Sequence, residues 1–228
     1  RAMVELMNRA GVDFAILGIE EKCCGDSARR MGNEYLAQML IDSNIETLRK
    51  YQFNRIVTTC PHGYNALKAE YPQFGLEIPV VHHTEFLLEL IREGKLKPTG
   101  VENGRGLYHD SCYLGRYNDI IDQPRDLLNS IDGVELGEFD RSGKRSFCCG
   151  AGGGRMWLEE TIGERINENR VDEALSRGAE QIFTACPFCM TMFEDGLKAR
   201  DEEEVRVRDI AEVLLRANRS GEGGEELS

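Results

Sequence analysis

Hydrophobic positions in the first hundred residues predict two short strands separated by a long helix. Residues 13–17 form an apolar run typical of a buried strand, and residues 27–51 carry apolar side chains close to helical spacing. Ser27, or Asp26 beside it, is a suitable N-cap for this helix. Residues 55–59 then predict a strand that ends directly before Cys60.

The same order of elements recurs in the second half of the chain. Residues 134–139 predict a strand, and residues 155–177 predict a helix with Gly178 in the position after its C-cap. Residues 181–185 predict the strand that leads into Cys186. Strands that alternate with helices of this length predict a parallel sheet with right-handed crossovers.

An internal repeat accounts for this recurrence. Cys-Cys-Gly at 23–25 returns at 148–150, and Cys-Pro at 60–61 returns at 186–187, so equivalent positions differ by 125 or 126. A third match, of residues 77–88 with residues 204–215 at offset 127, indicates a duplication.

We therefore expect an α/β fold of two duplicated Rossmann-like parallel-sheet halves related by pseudo-symmetry. The first half would span residues 1–100 and be truncated at its N-terminus, and the second would span residues 101–217. Residues 218–228 are rich in Gly and Glu, which predicts a disordered tail.

The cysteines lie where such a fold binds ligands. Both classes, the Cys-Cys-Gly pairs and the Cys-Pro positions, fall at predicted strand ends. In open α/β sheets, ligands bind beyond the carboxyl ends of the strands, and the helix N-termini there favour anions. The predicted fold and the positions of the cysteines therefore indicate the same edge of the sheet as the ligand-binding site.

Thiolate ligation of a metal explains the eight cysteines better than disulfides do. A chain of 228 residues does not need disulfides to stabilise its fold, and adjacent cysteine pairs have awkward disulfide geometry. A structural zinc ion takes four ligands, so five thiolates in one half favour a polynuclear iron–sulfur cluster. These five are Cys112, Cys148, Cys149, Cys186 and Cys189.

Two motifs resemble the cysteine-rich CCG domain family. They are His-Asp-Ser-Cys at 109–112 and Phe-Cys-Cys-Gly-Ala-Gly-Gly-Gly-Arg-Met-Trp at 147–157. This family includes a cysteine-rich component of methanogen heterodisulfide reductase and the iron–sulfur subunits of glycolate and lactate oxidases. It also includes the iron–sulfur proteins that pass electrons from electron-transfer flavoprotein to menaquinone. The resemblance implies a noncubane 4Fe–4S cluster on the five cysteines of the second half.

The first half departs from this pattern. Its closing motif is Cys60-Pro61-His62-Gly63, in which Gly63 cannot ligate, and the expected opening cysteine would precede Arg1. The candidate ligands that remain are Cys23, Cys24, Cys60 and His62, and they could hold a second cluster, zinc or no metal. His62 could instead be a hydrogen-bond donor beside the site or a loop residue.

The other three histidines, His82, His83 and His109, are better interpreted as structural. His109 could instead orient the cluster or relay a proton, since it precedes Cys112 by three residues.

Charge and hydropathy restrict the partners. The formal net charge of −12 argues against nucleic acid, which usually meets a basic face. No apolar run is long enough to span a bilayer, so membrane contact is expected only through a missing N-terminal region. Because the chain begins at Arg1, we expect it to be cut from a longer polypeptide. The expected location is the cytoplasm, or the cytoplasmic face of a membrane as part of a larger chain or complex.

Three functions remain open at this point. The first is an oxidoreductase module that passes electrons between a flavoprotein or other redox subunit and a quinone or similar acceptor. No dinucleotide-binding motif follows a strand, so a flavin would belong to a partner or to a missing domain. The second is cleavage of a disulfide substrate at the cluster, and the third is a structural zinc-binding interaction module.

Overall fold

The computed structural model describes residues 1–100 and 104–218, so the predicted disordered tail lies, apart from Asn218, outside the described residues. The helices in these ranges are α1 (Ala2–Arg9), α2 (Asp26–Arg30), α3 (Glu34–Leu48), α4 (Pro61–Asn65), α5 (His83–Arg92), α6 (Asp122–Asn129), α7 (Ile166–Ser176), α8 (Pro187–Ala199) and α9 (Ile210–Ala217). The strands are β1 (Ile56–Thr58), β2 (Val80–His82), β3 (Gly104–Tyr108), β4 (Val134–Glu138), β5 (Gln181–Thr184) and β6 (Arg206–Asp209). None of these helices is long and apolar enough to cross a bilayer.

Two parallel sheets form the framework. The second half contains a four-stranded sheet in the order β4-β3-β5-β6, and the first half contains the pair β1-β2. All ladders are parallel, with Ile182 opposite both Leu107 and Val207. The predicted α/β fold of two similar halves is therefore confirmed. Strands β1, β4 and β5 lie where the sequence predicted them, each slightly shorter.

The predicted strand at residues 13–17 is wrong. In the second half, the outermost strand β4 pairs only with β3. The described part of the first half has no element equivalent to β3, so this segment has no ladder partner. It has no regular secondary structure, and Ile16 is 74% exposed.

The predicted helix at residues 27–51 is two helices, α2 and α3. Gly32 lies between them with a positive φ of 83°, which a side chain disfavours and which ends α2. Asn33 then begins α3 as its N-cap, because its side chain accepts a hydrogen bond of 3.1 Å from the Leu36 N–H.

Only the end of the predicted helix at residues 155–177 forms. Gly153 and Gly154 adopt positive φ angles of 65° and 77° inside the short helical segment Gly152–Trp157, and regular helix begins at Ile166. The predicted position of Gly178 is correct, since it follows the C-cap of α7 with a φ of 67°.

The two halves share one hydrophobic core. Helices α1 and α5 of the first half pack with α6 and α9 of the second, and their leucines are fully buried. Examples are Leu6, Leu87, Leu127 and Leu214. The core therefore fixes how the two halves face each other.

Residues at equivalent positions of the repeat touch one another. The rings of His62 and Phe188 are 4.9 Å apart. The two residues are separated by 126 positions, which is the offset between the Cys-Pro motifs beside them. Because only positions on a twofold axis meet their own equivalents, a local pseudo-twofold axis passes through this contact.

Candidate metal centre

The elements of the second half deliver its five cysteines from three segments. Cys112 begins the helical turn that follows β3, and Cys148 and Cys149 lie in the loop before Gly150. Cys186 is the N-cap of α8 directly after β5, and Cys189 lies in the first turn of that helix. All five thiols are free of disulfides.

The five sulfurs form a continuous series of side-chain contacts. The Cys112 and Cys149 thiols both form hydrogen bonds with the sulfur of Cys148. Cys189 in turn forms hydrogen bonds with Cys149 and with Cys186. The predicted ligands of the second half are therefore neighbours in space, although they are up to 77 residues apart in the chain.

Cys148 is the sulfur on which negative charge is most favourable. Hydrogen bonds from the Cys112 and Cys149 thiols lower the pKa of Cys148 to about 2. The Gly150 N–H also donates to its sulfur at 3.3 Å. A thiolate that accepts several hydrogen bonds is a ready metal ligand.

The other sulfurs lie deeper in the protein. Cys149, Cys186 and Cys189 are buried. Burial raises the pKa of Cys186, but hydrogen bonds from Cys189 and Ser111, together with the nearby His62, outweigh it and bring the pKa to about 7. The pKa of Cys189 is raised, first by its hydrogen bonds to Cys149 and Cys186. Anionic sulfurs in such a site need a cation to compensate them.

His109 belongs to this site more closely than the sequence suggested. A ring nitrogen of His109 and the sulfurs of Cys149 and Cys189 all lie within 4.8 Å of one another. Burial, and then the charge of Arg170, lowers the pKa of His109 to about 3. The position of His109 three residues before Cys112 was a signal for this proximity. Nothing in the sequence indicated Arg170.

The first-half cysteines also lie together, at the opposite side of the pseudo-twofold axis. Cys24 donates a hydrogen bond that lowers the pKa of Cys23 to about 6. Burial, and then the nearby Cys186, raises the pKa of Cys60 to about 12. Cys60 thus lies within electrostatic range of both Cys24 and its own equivalent in the second half.

His62 is held in a fixed orientation beside these cysteines. Its Nδ1 lies 2.9 Å from Asp26 Oδ2, and its ring contacts Tyr113 and Phe188 at centroid distances of 4.3 and 4.9 Å. Arg30 holds Asp26 in turn at 3.1 Å. A carboxylate on one imidazole nitrogen is the usual arrangement when the other nitrogen binds a metal.

His82 and His83 have structural contacts. His82 is the N-cap of α5 and lies 2.9 Å from the Thr84 hydroxyl, and His83 Nε2 lies 3.2 Å from Asp209 Oδ1.

The donor set of the second half fits an iron–sulfur cluster. Thiolates are the ligands that iron–sulfur clusters prefer, and a cluster accommodates more than the four ligands of a structural zinc ion. Gly150 has a φ of 97°, and a Cβ there would lie 3.3 Å from Ile166 Cβ and from the Met192 side chain. Only glycine therefore places this backbone N–H on the Cys148 sulfur without displacing its neighbours.

Comparison with known proteins agrees with this chemistry. The chain is 51% identical over 224 residues to "EtfAB:quinone oxidoreductase" of Syntrophomonas wolfei, and 48% identical over 217 residues to "Probable iron-sulfur-binding oxidoreductase FadF" of Bacillus subtilis. These matches cover 95% of this chain and 31% of each relative, so the chain spans about a third of their length.

A third relative is named for heterodisulfide reduction. The chain is 36% identical over 222 residues to one subunit of the dihydromethanophenazine:CoB--CoM heterodisulfide reductase of Methanosarcina barkeri, a match that covers 95% of the chain and 54% of the relative. The iron–sulfur relatives, together with the thiols of the site, support an iron–sulfur cofactor.

The family assignment rests on both halves of the repeat. Residues 1–68 and 107–194 match the cysteine-rich domain called CCG, and these ranges contain all eight cysteines. The chain therefore belongs to the cysteine-rich CCG domain family.

Proposed function

We propose that this chain is the iron–sulfur electron-transfer module of an oxidoreductase. Its second half holds a noncubane 4Fe–4S cluster on Cys112, Cys148, Cys149, Cys186 and Cys189. The observation that carries the proposal is the continuous series of contacts among these five sulfurs. When bound, the cluster supplies the one-electron steps of the reaction. The protein residues bind it, exclude water from its inner side and set its charge environment.

We further propose that electrons pass between a flavoprotein and a quinone or similar acceptor. The name of the Syntrophomonas wolfei relative supports this route, since it couples EtfAB to quinone. The described residues contain no Gly-rich dinucleotide loop after a strand, so the flavin would be on a partner or another domain.

The first half is proposed as a second, weaker metal site. Cys23, Cys24, Cys60 and His62 are its candidate ligands, and the hydrogen bond between Asp26 and His62 Nδ1 leaves Nε2 as the available nitrogen. An iron–sulfur cluster with one imidazole ligand, or a zinc ion, would suit this set.

Anaerobic reconstitution tests the cluster assignment. We expect iron and acid-labile sulfide in the wild-type protein, together with an EPR signal that Cys148→Ser or Cys189→Ser abolishes or converts. Cys60→Ser is the matched control, because it removes a thiol from the other half and should leave the second-half signal in place. Colourless protein with stoichiometric zinc would overturn the proposal in favour of a structural zinc module.

Cleavage of a disulfide is a second candidate function. It is favoured by the position of Cys60 beside Cys186, since a substrate between the two half-sites would contact both. Thiol release from the heterodisulfide of coenzymes M and B by the reduced, reconstituted protein would support it. Full reduction of the cluster without thiol release would exclude it.

A further inference from the structure

Arg170 is a buried cation behind the second-half cysteines. Its side chain is 0% exposed, with Nη1 2.6 Å from Glu173 Oε2 and Nη2 3.0 Å from the Arg141 carbonyl oxygen. The guanidinium also lies 3.7 Å from the centre of the Phe139 ring. These contacts fix the orientation of the guanidinium and therefore the direction of its Nε–H.

This donor determines which nitrogen of His109 carries a proton. Arg170 Nε donates to His109 Nδ1 at 3.5 Å. A guanidinium in a protein keeps its protons, so Nδ1 must be the acceptor. The proton of the neutral imidazole is then on Nε2.

The imidazole cannot easily turn away from the sulfurs. It is buried, and its ring meets Phe193 and Phe139 edge-on at centroid distances of 4.9 and 6.2 Å. With Nδ1 occupied by Arg170, Nε2–H is the donor available to Cys149 and Cys189, whose sulfurs lie within 4.8 Å of a ring nitrogen and of each other.

We propose that His109 is a positioning residue that donates its Nε2–H to the Cys149 or Cys189 thiolate, and that Arg170 fixes this direction of donation. A hydrogen bond to a ligating sulfur stabilises negative charge on the centre, and reduction adds negative charge. The pair should therefore raise the reduction potential of the cluster. The predicted effect on the reduction potential rests on the proposed function, whereas the predicted tautomer of His109 does not.

Two substitutions at His109 separate a donor from a packing role. In His109→Gln the side-chain amide can place an N–H near the Nε2 position, whereas His109→Leu retains bulk and removes the donor. We expect His109→Leu to lower the midpoint potential of the cluster. At a fixed applied potential, the ratio of reduced to oxidised cluster should fall about tenfold, which corresponds to a shift of about 59 mV for a one-electron couple. His109→Gln should remain close to wild type. Equal potentials in the two variants would overturn the proposal.

The tautomer can be measured without metal. In the metal-free protein, 15N NMR of the histidine side chains should show His109 protonated at Nε2 alone, and Arg170→Met should remove this single preference. A wild-type His109 protonated at Nδ1 would overturn the proposal whether or not a cluster binds. If Arg170→Met fails to fold, the wild-type spectrum and the His109 pair still decide the question. Absence of iron and sulfide from the reconstituted wild-type protein would contradict only the proposed function.

Discussion

Gly63 occupies the position that Cys189 occupies in the other half, and the surrounding structure has room for a side chain there. An added Cβ would lie 3.5 Å from Thr58 Oγ1 and 3.8 Å from Cys60 Cβ, which are ordinary contacts. The backbone of Gly63 is helical within α4, so no left-handed conformation opposes the change.

Gly63→Cys should therefore increase metal binding by the first half. The variant restores the Cys-x-x-Cys spacing of the second half, and the added thiolate increases the affinity for soft metals. We expect more iron and sulfide per chain than in wild type after anaerobic reconstitution. Gly63→Ala is the matched control, since it adds the Cβ without sulfur. Equal iron content in the two variants would contradict the assignment of this site.

Asp26 links stability to pH at the first-half site. Burial disfavours its charge, but hydrogen bonds from His62 and Arg30 outweigh burial, so the pKa of Asp26 falls below its ordinary 3.8. A carboxyl with a lowered folded pKa stabilises the protein above its unfolded pKa, and this stabilisation is lost as the pH falls through the folded value.

Asp26→Asn should thus destabilise the metal-free protein by about 2 kcal/mol near neutral pH, the usual range for hydrogen bonds to charged groups. The difference from wild type should shrink below pH about 4, as the wild-type carboxyl becomes protonated. Urea unfolding between pH 3 and pH 7 measures this. A difference that is constant with pH would mean that the charge of Asp26 is not responsible.

The candidate ligands could be named from the sequence because their signal is chemical and local. Cys-Cys-Gly and Cys-x-x-Cys identify thiolates through the residues themselves. The position of Arg170 was not predictable, because an arginine in a helix usually faces solvent and only the tertiary fold turns this one inward.

Helices α7 and α8 pack closely at Gly196, and α8 carries Cys189. A Cβ at Gly196 would lie 2.8 Å from Val171 Cγ2 and 3.1 Å from the Asn167 carbonyl oxygen. The carbonyl belongs to the backbone of α7, so the contact could be relieved only by separating the two helices.

Gly196→Ala should destabilise the protein by about 2 kcal/mol, the usual cost of overpacking. This cost should exceed the gain in helix propensity, which is at most about 1 kcal/mol. Thermal unfolding of the metal-free protein measures the change. Gly63→Ala, also in a helix but with room for its Cβ, should be neutral or slightly stabilising. Similar melting temperatures for the two alanine variants would argue against close packing at Gly196.

Element prediction failed where tertiary partners or glycines overrode the apolar pattern. Residues 13–17 have the composition of a strand, but no described strand lies beside them to complete the ladder. Residues 155–165 follow two glycines with positive φ angles, and helical spacing alone does not reveal that conformation. Strands β1 and β5 were predictable because each is a short apolar run ending at a Cys-Pro sequence.

The molecule should unfold as one unit, although its sequence is a duplication. The shared core contains Leu87 from the first half and Leu127 and Leu214 from the second, all at 0% exposure. Neither half can bury these leucines without the other.

Leu87→Ala should therefore destabilise both halves equally, by about 3 kcal/mol. Hydrogen exchange of the metal-free protein in increasing urea, measured by mass spectrometry, tests this. Peptides from α5 and α6 should open at the same urea concentration as each other, and this concentration should be lower than in the wild-type protein. Opening of α5 alone at lower urea would indicate two separate domains.

Whole-molecule architecture was the part most accessible from the sequence. The nearly constant offset between matching motifs predicted two similar halves, and the contact between His62 and Phe188 joins two positions at that offset. The hydrophobic core that the two halves share was not predictable, because apolar periodicity identifies a buried face of a helix but not the helix that covers it.

The pair His62 and Phe188 has a consequence for how such a molecule could diversify. In an assembly of two identical chains, a position on the symmetry axis must meet a copy of itself, so imidazole would face imidazole and phenyl ring would face phenyl ring. Once both copies belong to one polypeptide, each can mutate alone, and an imidazole can pack against a phenyl ring at the centre. The same freedom lets one sulfur-rich pocket keep its full complement of thiols while its twin acquires a histidine and a glycine, so that the two sides become inequivalent.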